Sequence, residues 1–110
     1  MKLHLVKRQT IEDFARTQQR SAVSFERWLQ LALSSDWEKP MDMQSTFNTA
    51  DLLGRSSERV IFNIGGNHYR MICKYHFGKA RVHLFIMWIG THAEYDKICK
   101  MGVQYSICNY

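Results

Sequence analysis

An α+β domain, with two helices laid across a mainly antiparallel sheet and a short helix near the C-terminus, is the fold class that three observations predict. Two turns, Gly65-Gly66-Asn67 and Gly78-Lys79-Ala80, punctuate an alternating stretch from Val60 to Ile89, as consecutive antiparallel hairpins do. Upstream, Phe25, Trp28, Leu29, Ala32 and Leu33 recur at three- and four-residue steps, the period of a helix with one buried side. Downstream, Thr91 is followed three residues later by Glu94, the spacing of a capping box at a helix start.

Taken in order, Lys2 to Val6 suits a short first strand, with Leu3 and Leu5 on its inner side. Thr10 is placed to cap a first helix whose opening turn carries Glu12 and Asp13, where carboxylates meet the positive end of the dipole. The second helix starts near Ser21, and Trp28 in its apolar stripe reads as core. Pro40, the only proline, ends that region. Met41 to Arg59 is polar and weakly periodic, with a short helical possibility around Phe47, Ala50, Leu52 and Leu53, and it could cover an open sheet edge.

The stretch from His68 to Phe77 separates core from chemistry. Side chains alternate between the faces of a strand, so Tyr69, Met71, Cys73, Tyr75 and Phe77 share an apolar face while His68, Arg70, Ile72, Lys74 and His76 share a largely basic one. An even loop at Gly66-Asn67 pairs Phe62 with Met71 and Asn63 with Arg70. A three-residue second loop sets Cys73 against Phe85 and Arg70 against Trp88, gathering Asn63, Arg70, Lys74 and Trp88 on one patch. Gly90 closes the third strand, Thr91 opens the last helix, and Gly102 stops it. The tail from Val103 is left open.

At 110 residues the chain is expected to form one domain, 1–110, with a core that needs no staples. Its 45% hydrophobic content excludes a disordered polyelectrolyte. Up to Glu58 the chain carries eight basic and eight acidic residues, and from Arg59 onward seven basic and two acidic, so the whole net charge of +5 lies in the second half with four of the five histidines. That field suits a phosphate backbone or an acidic protein. Cys73, Cys99 and Cys108 have no CxxC spacing, which points to reduced thiols and a cytoplasmic protein. His68, His76 and His83 have no companion ligands in sequence, so neither a metal nor another cofactor is expected. The longest apolar run, Leu84 to Ile89, is far short of a membrane span.

The residues Val60-Ile61-Phe62-Asn63-Ile64-Gly65-Gly66-Asn67-His68-Tyr69-Arg70 and Ile89-Gly90-Thr91-His92-Ala93-Glu94-Tyr95-Asp96, with the early Leu3-His4-Leu5-Val6 and Trp37-Glu38-Lys39-Pro40, resemble the HigB-type toxins of bacterial type II toxin–antitoxin pairs, within the RelE superfamily. The resemblance implies a RelE-like fold and an endoribonuclease that cuts messenger RNA on translating ribosomes. It also implies a HigA-like antitoxin as partner. The superfamily's Tyr-Arg dipeptide maps onto Tyr69-Arg70, with Arg70 contacting phosphate. A basic residue and a tyrosine near the last helix map onto His92 and Tyr95, histidine standing where relatives often have arginine.

The chemistry fits those residue types. Cutting RNA without a metal needs a proton taken from the 2′-hydroxyl, charge held on the phosphate, and a proton given to the leaving 5′-oxygen. Arginine is always charged and bidentate. Histidine as a residue type titrates near ~6.5 and can move protons. Tyr95 is suited to orienting the 2′-hydroxyl or stacking on a base. Asn63, Asn67, Lys74, Lys79 and Arg81 are the candidate RNA contacts, including ribosomal RNA, although Asn67 reads first as a turn residue tolerating positive φ. Two rival readings use the same fold: a toxin that binds a protein such as DNA gyrase, and a non-catalytic RNA-binding module.

Overall fold

The computed structural model covers residues 1–110 and has the predicted α+β architecture. The elements run β1 (Lys2–Val6), α1 (Arg8–Thr17), α2 (Ala22–Leu33), α3 (Met41–Thr46), β2 (Asp51–Leu53), β3 (Arg59–Ile64), β4 (Tyr69–Phe77), β5 (Arg81–Thr91) and α4 (His92–Met101). A single 3₁₀ turn, Gln19–Ser21, joins the first two helices. The five-stranded sheet has the order β1-β5-β4-β3-β2. All neighbours are antiparallel except β1, which lies parallel to β5.

One face of the sheet meets α1 and α2. Phe25, Trp28, Leu29 and Ala32 of α2 pack with Phe62, Ile64, Met71, Cys73, Val82 and Leu84 into the main core. Trp28 is core, as its spacing predicts: it stacks on Phe47 at 5.7 Å and meets Phe62 edge-on at 5.1 Å. The other face is covered in its central part. Ile98 of α4 packs there on Ile61, Ile72 and Trp88, joined by Tyr95, Val103 and Ile107. The buried Arg59 fixes the tail by donating Nη1 to the carbonyls of Gln104 (3.3 Å) and Ile107 (2.7 Å). The basic face is therefore open only around Lys74, His76, His83, Arg81, Lys2 and His4.

Several local expectations are corrected. Helix α1 begins at Arg8 with Lys7 at its N-cap, so Thr10 is a buried residue within the helix and caps nothing. The helix of the 41–59 segment is Met41–Thr46, while Leu52 and Leu53 lie in edge strand β2. The first hairpin has the predicted register, Phe62 opposite Met71 and Asn63 opposite Arg70, with both positive-φ positions taken by Gly65 (65°) and Gly66 (66°). The second does not. Phe77 faces Val82 across a longer turn and a bulge follows at Ile72/Cys73, so Cys73 pairs with Ile86, Ile72 with Trp88 and Arg70 with Gly90. A bulge adds a residue on one strand and shifts every later pair. Gly102 ends α4 in the left-handed conformation, as predicted.

Gly90 is required by close approach. A β-carbon there would lie 2.4 Å from Cζ2 and 2.5 Å from Cη2 of Trp88, and 3.0 Å from Oε1 of Glu94. Trp88 is itself buried. Gly90→Ala is therefore expected to destabilise the fold by about 1–3 kcal/mol, the usual cost of overpacking a filled site, and chemical denaturation of the variant checks it.

Candidate nucleic-acid site at the end of strands β3 to β5

Arg70 lies on β4 with Asn63 of β3 on one side and Gly90 of β5 on the other. It is 8% exposed. Its guanidinium folds back on the β3–β4 turn: Nη1 donates to the carbonyls of Tyr69 (3.1 Å) and Gly66 (3.5 Å), and Nη2 to Oδ1 of Asn67 (3.2 Å). Every one of these acceptors is neutral. No carboxylate forms an ion pair with Arg70. Of the five guanidinium N–H donors, Nε–H and one Nη2–H are left without an acceptor. A largely buried cation held by neutral groups keeps its charge available to an incoming anion.

Asn67 does not adopt positive φ. Its amide oxygen instead fixes Arg70, a positioning part that turn chemistry alone does not suggest. Asn63 is half-buried directly opposite Arg70.

His92 is the first residue of α4, which is anchored by the predicted capping box: the Glu94 N–H donates to Thr91 Oγ1 (3.2 Å) and the Thr91 N–H to Glu94 Oε1 (2.8 Å). The His92 N–H donates to the carbonyl of His68 (3.0 Å), tying the helix start to the β3–β4 turn. Its imidazole is about half exposed, with Nε2 3.5 Å from Oδ2 of Asp96 one turn along. Arg70 pairs with Gly90, two residues before His92, and adjacent strands run about 4.7–4.9 Å apart. The two side chains thus belong to the same end of the sheet.

Tyr95, three residues along α4, is half-buried and meets the ring of Trp88 at 6.2 Å. Burial pushes its phenol well above the ordinary tyrosine range, with the Cys99 thiol and Asp51 carboxylate adding to the rise and the Arg70 charge opposing it. Tyr95 is thus a protonated hydrogen-bond donor at neutral pH and not a base. Cys73, sealed in the core, is likewise held protonated by burial, which removes it as a nucleophile.

The remaining predicted contacts lie apart from this cluster. Lys74 is exposed on the face that Arg70 shares, four residues further along β4 and opposite Arg59 and Phe85. Lys79, in the β4–β5 turn, and Arg81, at the start of β5, are exposed at the far end, roughly 25 Å away at ~3.4 Å per residue. There the parallel pairing of β1 sets Lys2 beside Arg81 and His4 beside His83. His83 also faces His76. No carboxylate joins that row, so the open part of the face is a basic strip, separated from Arg70 by the Ile72–Trp88 region that α4 and the tail cover. Nowhere do three or more His, Cys, Asp or Glu side chains converge as a metal site.

Two groups at the site were not singled out from sequence. Asp96 is one, and its signal was there to read, since a helix starting at His92 puts residue 96 one turn above it. The other is His68, whose carbonyl holds the helix start and whose partner lies 24 residues away, beyond local patterning.

Two helices on one face of a five-stranded sheet, a short terminal helix on the other, and an arginine without a carboxylate on the central strand have the architecture of the RelE-like toxins. Residues 21–98 match the family described as HigB toxin, RelE-like toxic component of a toxin–antitoxin system. The chain belongs to that family. It is also 26% identical over 98 residues to the mRNA interferase HigB of Escherichia coli O6:H1 strain CFT073, covering 89% of this chain and 93% of that protein. No helix is long and apolar enough to cross a membrane.

Proposed function

We propose that this toxin is a metal-independent endoribonuclease that cuts messenger RNA on the translating ribosome, acts in the cytoplasm as one domain, and is neutralised by a HigA-like antitoxin. The observation that carries the reading is the Arg70 guanidinium, buried and without a carboxylate, on the strand position facing Gly90, two residues before His92. The relative's name, mRNA interferase, supports the same substrate class.

In this reading the scissile phosphate sits on the free N–H edge of Arg70, which meets the negative charge that grows as the 2′-oxygen attacks phosphorus. The P–O5′ bond breaks as the P–O2′ bond forms, leaving a 2′,3′-cyclic phosphate and a 5′-hydroxyl. His92, with Asp96 holding its Nε2 side, exchanges a proton with one of the two reacting oxygens and solvent water with the other, so the proton lost by the 2′-hydroxyl balances the one gained by the 5′-oxygen. Tyr95, kept protonated, donates a hydrogen bond that orients the 2′-hydroxyl. Asn63 and Asn67 frame the phosphate, and Lys74, Lys79, Arg81 and Lys2, on the separate basic strip at the other end of the face, contact more distant RNA, including ribosomal RNA. Such a sparse set works where the ribosome holds the substrate in place.

Mapping RNA 5′ ends after brief expression, with and without active ribosomes, tests the proposal. Discrete cuts within coding sequences that vanish when translation is blocked are expected. Intact transcripts with DNA-damage signalling would instead place the toxin among those that bind gyrase.

A further inference from the structure

The turn from Gly65 to His68 that holds Arg70 also walls a polar cavity on its helix side. The cavity has a volume of about 200 Å³ and is lined by Arg20, Ser24, Gly65, His68 and Tyr69, with no carboxylate among them. Gly65 adjoins Gly66, whose carbonyl accepts from Arg70, and His68 adjoins Asn67, whose amide oxygen does the same. The carbonyl of His68 also holds the start of α4. One short turn thus separates this cavity from the Arg70 guanidinium.

The groups around it suit an anion. Arg20, in the 3₁₀ turn before α2, is exposed and pairs with no acid. Ser24 lies in the first turn of α2, which carries no acidic residue and has no side-chain cap, so nothing neutralises the positive end of that helix dipole. Ser21, Ser34, Ser35 and Ser57 donate their hydroxyls to backbone carbonyls, whereas Ser24 does not. A β-carbon at Gly65 would come within 3.1 Å of Ser24 Oγ and crowd that hydroxyl. Tyr69 is the decisive residue. It is 8% exposed and its ring meets Phe14 edge-on at 5.8 Å, yet its hydroxyl has no partner in the chain and is not sealed from solvent. Tyrosine hydroxyls in buried positions normally find a partner, and the cavity that Tyr69 lines is where one would sit.

We infer that this cavity is a second phosphate site, which takes a phosphodiester next to the scissile one in the messenger RNA. The RNA then passes around the end of the sheet, with the scissile phosphate on Arg70 and its neighbour on Arg20 and the Ser24 and Tyr69 hydroxyls. A phosphate accepts from several directions at once, as these groups require. The exposed His68 ring and the planar Arg20 guanidinium give a base somewhere to stack. An acidic peptide fits less well, because Tyr69 is the only lining residue with apolar surface to offer its side chains. The assignment rests on the cleavage reading and adds to it a contact that holds the substrate beside the reacting linkage.

The test follows single-turnover cleavage on programmed ribosomes at rising toxin concentration, using synthetic messenger RNAs with a neutral methylphosphonate on the 5′ or the 3′ side of the cut. Arg20→Ala is expected to raise the half-saturating toxin concentration about tenfold, the low end for losing a hydrogen bond to a charged group, with the maximal rate within about threefold of wild type. Arg20→Lys keeps the charge without the fork and should recover part of the loss. Tyr69→Phe keeps the ring against Phe14 and should act in the same direction as Arg20→Ala. At one of the two flanking positions, the methylphosphonate should weaken wild type about as much as Arg20→Ala does and add nothing to that variant, since both remove one contact. Additive losses at both positions, or an unchanged half-saturating concentration, would overturn the second site. So would Arg20→Ala weakening the antitoxin complex while leaving cleavage untouched, which would give the cavity to an acidic peptide. A wild-type toxin that cuts no RNA would sink the cleavage reading and this site together, whereas normal cutting without the coupling removes this site alone.

Discussion

Arg70→Ala is expected to lower the rate of RNA cleavage by about 10²-fold or more, the scale on which losing a preorganised group at developing charge is felt. The structure explains why the loss should exceed that of a surface cation. Three of the five donors of Arg70 are committed to Tyr69, Gly66 and Asn67, so the guanidinium does not reorganise when the phosphate arrives. Those partners sit in or beside a turn where Gly66 and Asn67 are exposed, and water can replace the lost bonds. The stability cost should be about 1 kcal/mol, the net value of such hydrogen bonds. Single-turnover cleavage on programmed ribosomes, with a denaturation curve for the same variant, separates the two effects. Arg70→Lys keeps the charge but not the fork, and should fall much nearer to Ala than to the wild type.

His92→Gln is expected to reduce cleavage by about 10²–10⁴-fold, the range for a proton-transfer group, while leaving the fold intact. Gln retains a hydrogen-bonding end of similar reach but cannot exchange a proton. The helix start does not depend on the imidazole. Thr91 and Glu94 cap it, and the backbone N–H of His92, which any residue supplies, reaches the His68 carbonyl. Equal cleavage rates for His92→Gln and wild type would remove His92 from the mechanism. A circular-dichroism melt of the same preparation shows that α4 has stayed folded.

What the sequence makes legible is local. The capping box at Thr91 and Glu94 reads directly because both partners lie within one turn. The first hairpin's facing follows from alternation, and its register from a turn centred on Gly66-Asn67, about which two- and four-residue loops give the same pairs. The second hairpin fails twice: its turn is one residue longer than a three-residue loop, which sets Cys73 against Ile86, and a bulge at Ile72/Cys73, which leaves no mark in the alternation of side chains, shifts the later pairs by one more. Non-local pairings are invisible for the same reason. Nothing in Lys2–Val6 announces a parallel partner in β5, so the meeting of His4 with His83 could not be foreseen.

The basic face shows the limit most clearly. Alternation separates Arg70, Lys74 and His76 from the apolar side, but it does not say that α4 and the tail bury the central part of that face through Ile61, Ile72 and Trp88. Arg59 looks like another surface cation in sequence. In the fold it is buried and holds the tail. At the site, the residues brought together are Arg70, Asn63, Asn67, His92 and Tyr95, while Lys79 and Arg81 belong to a separate end of the sheet. Residue type pointed to charge and proton transfer, and only the strand pairing revealed which of these groups are neighbours.

The chemical ends of the cut RNA test the central claim most directly. If Arg70 and His92 serve attack by the RNA's own 2′-hydroxyl, fragments produced by the wild-type toxin on ribosomes carry a 2′,3′-cyclic phosphate or its 3′-phosphate product upstream and a 5′-hydroxyl downstream. Fragments ending in a 3′-hydroxyl and a 5′-phosphate would require water or another external nucleophile, and would contradict the account.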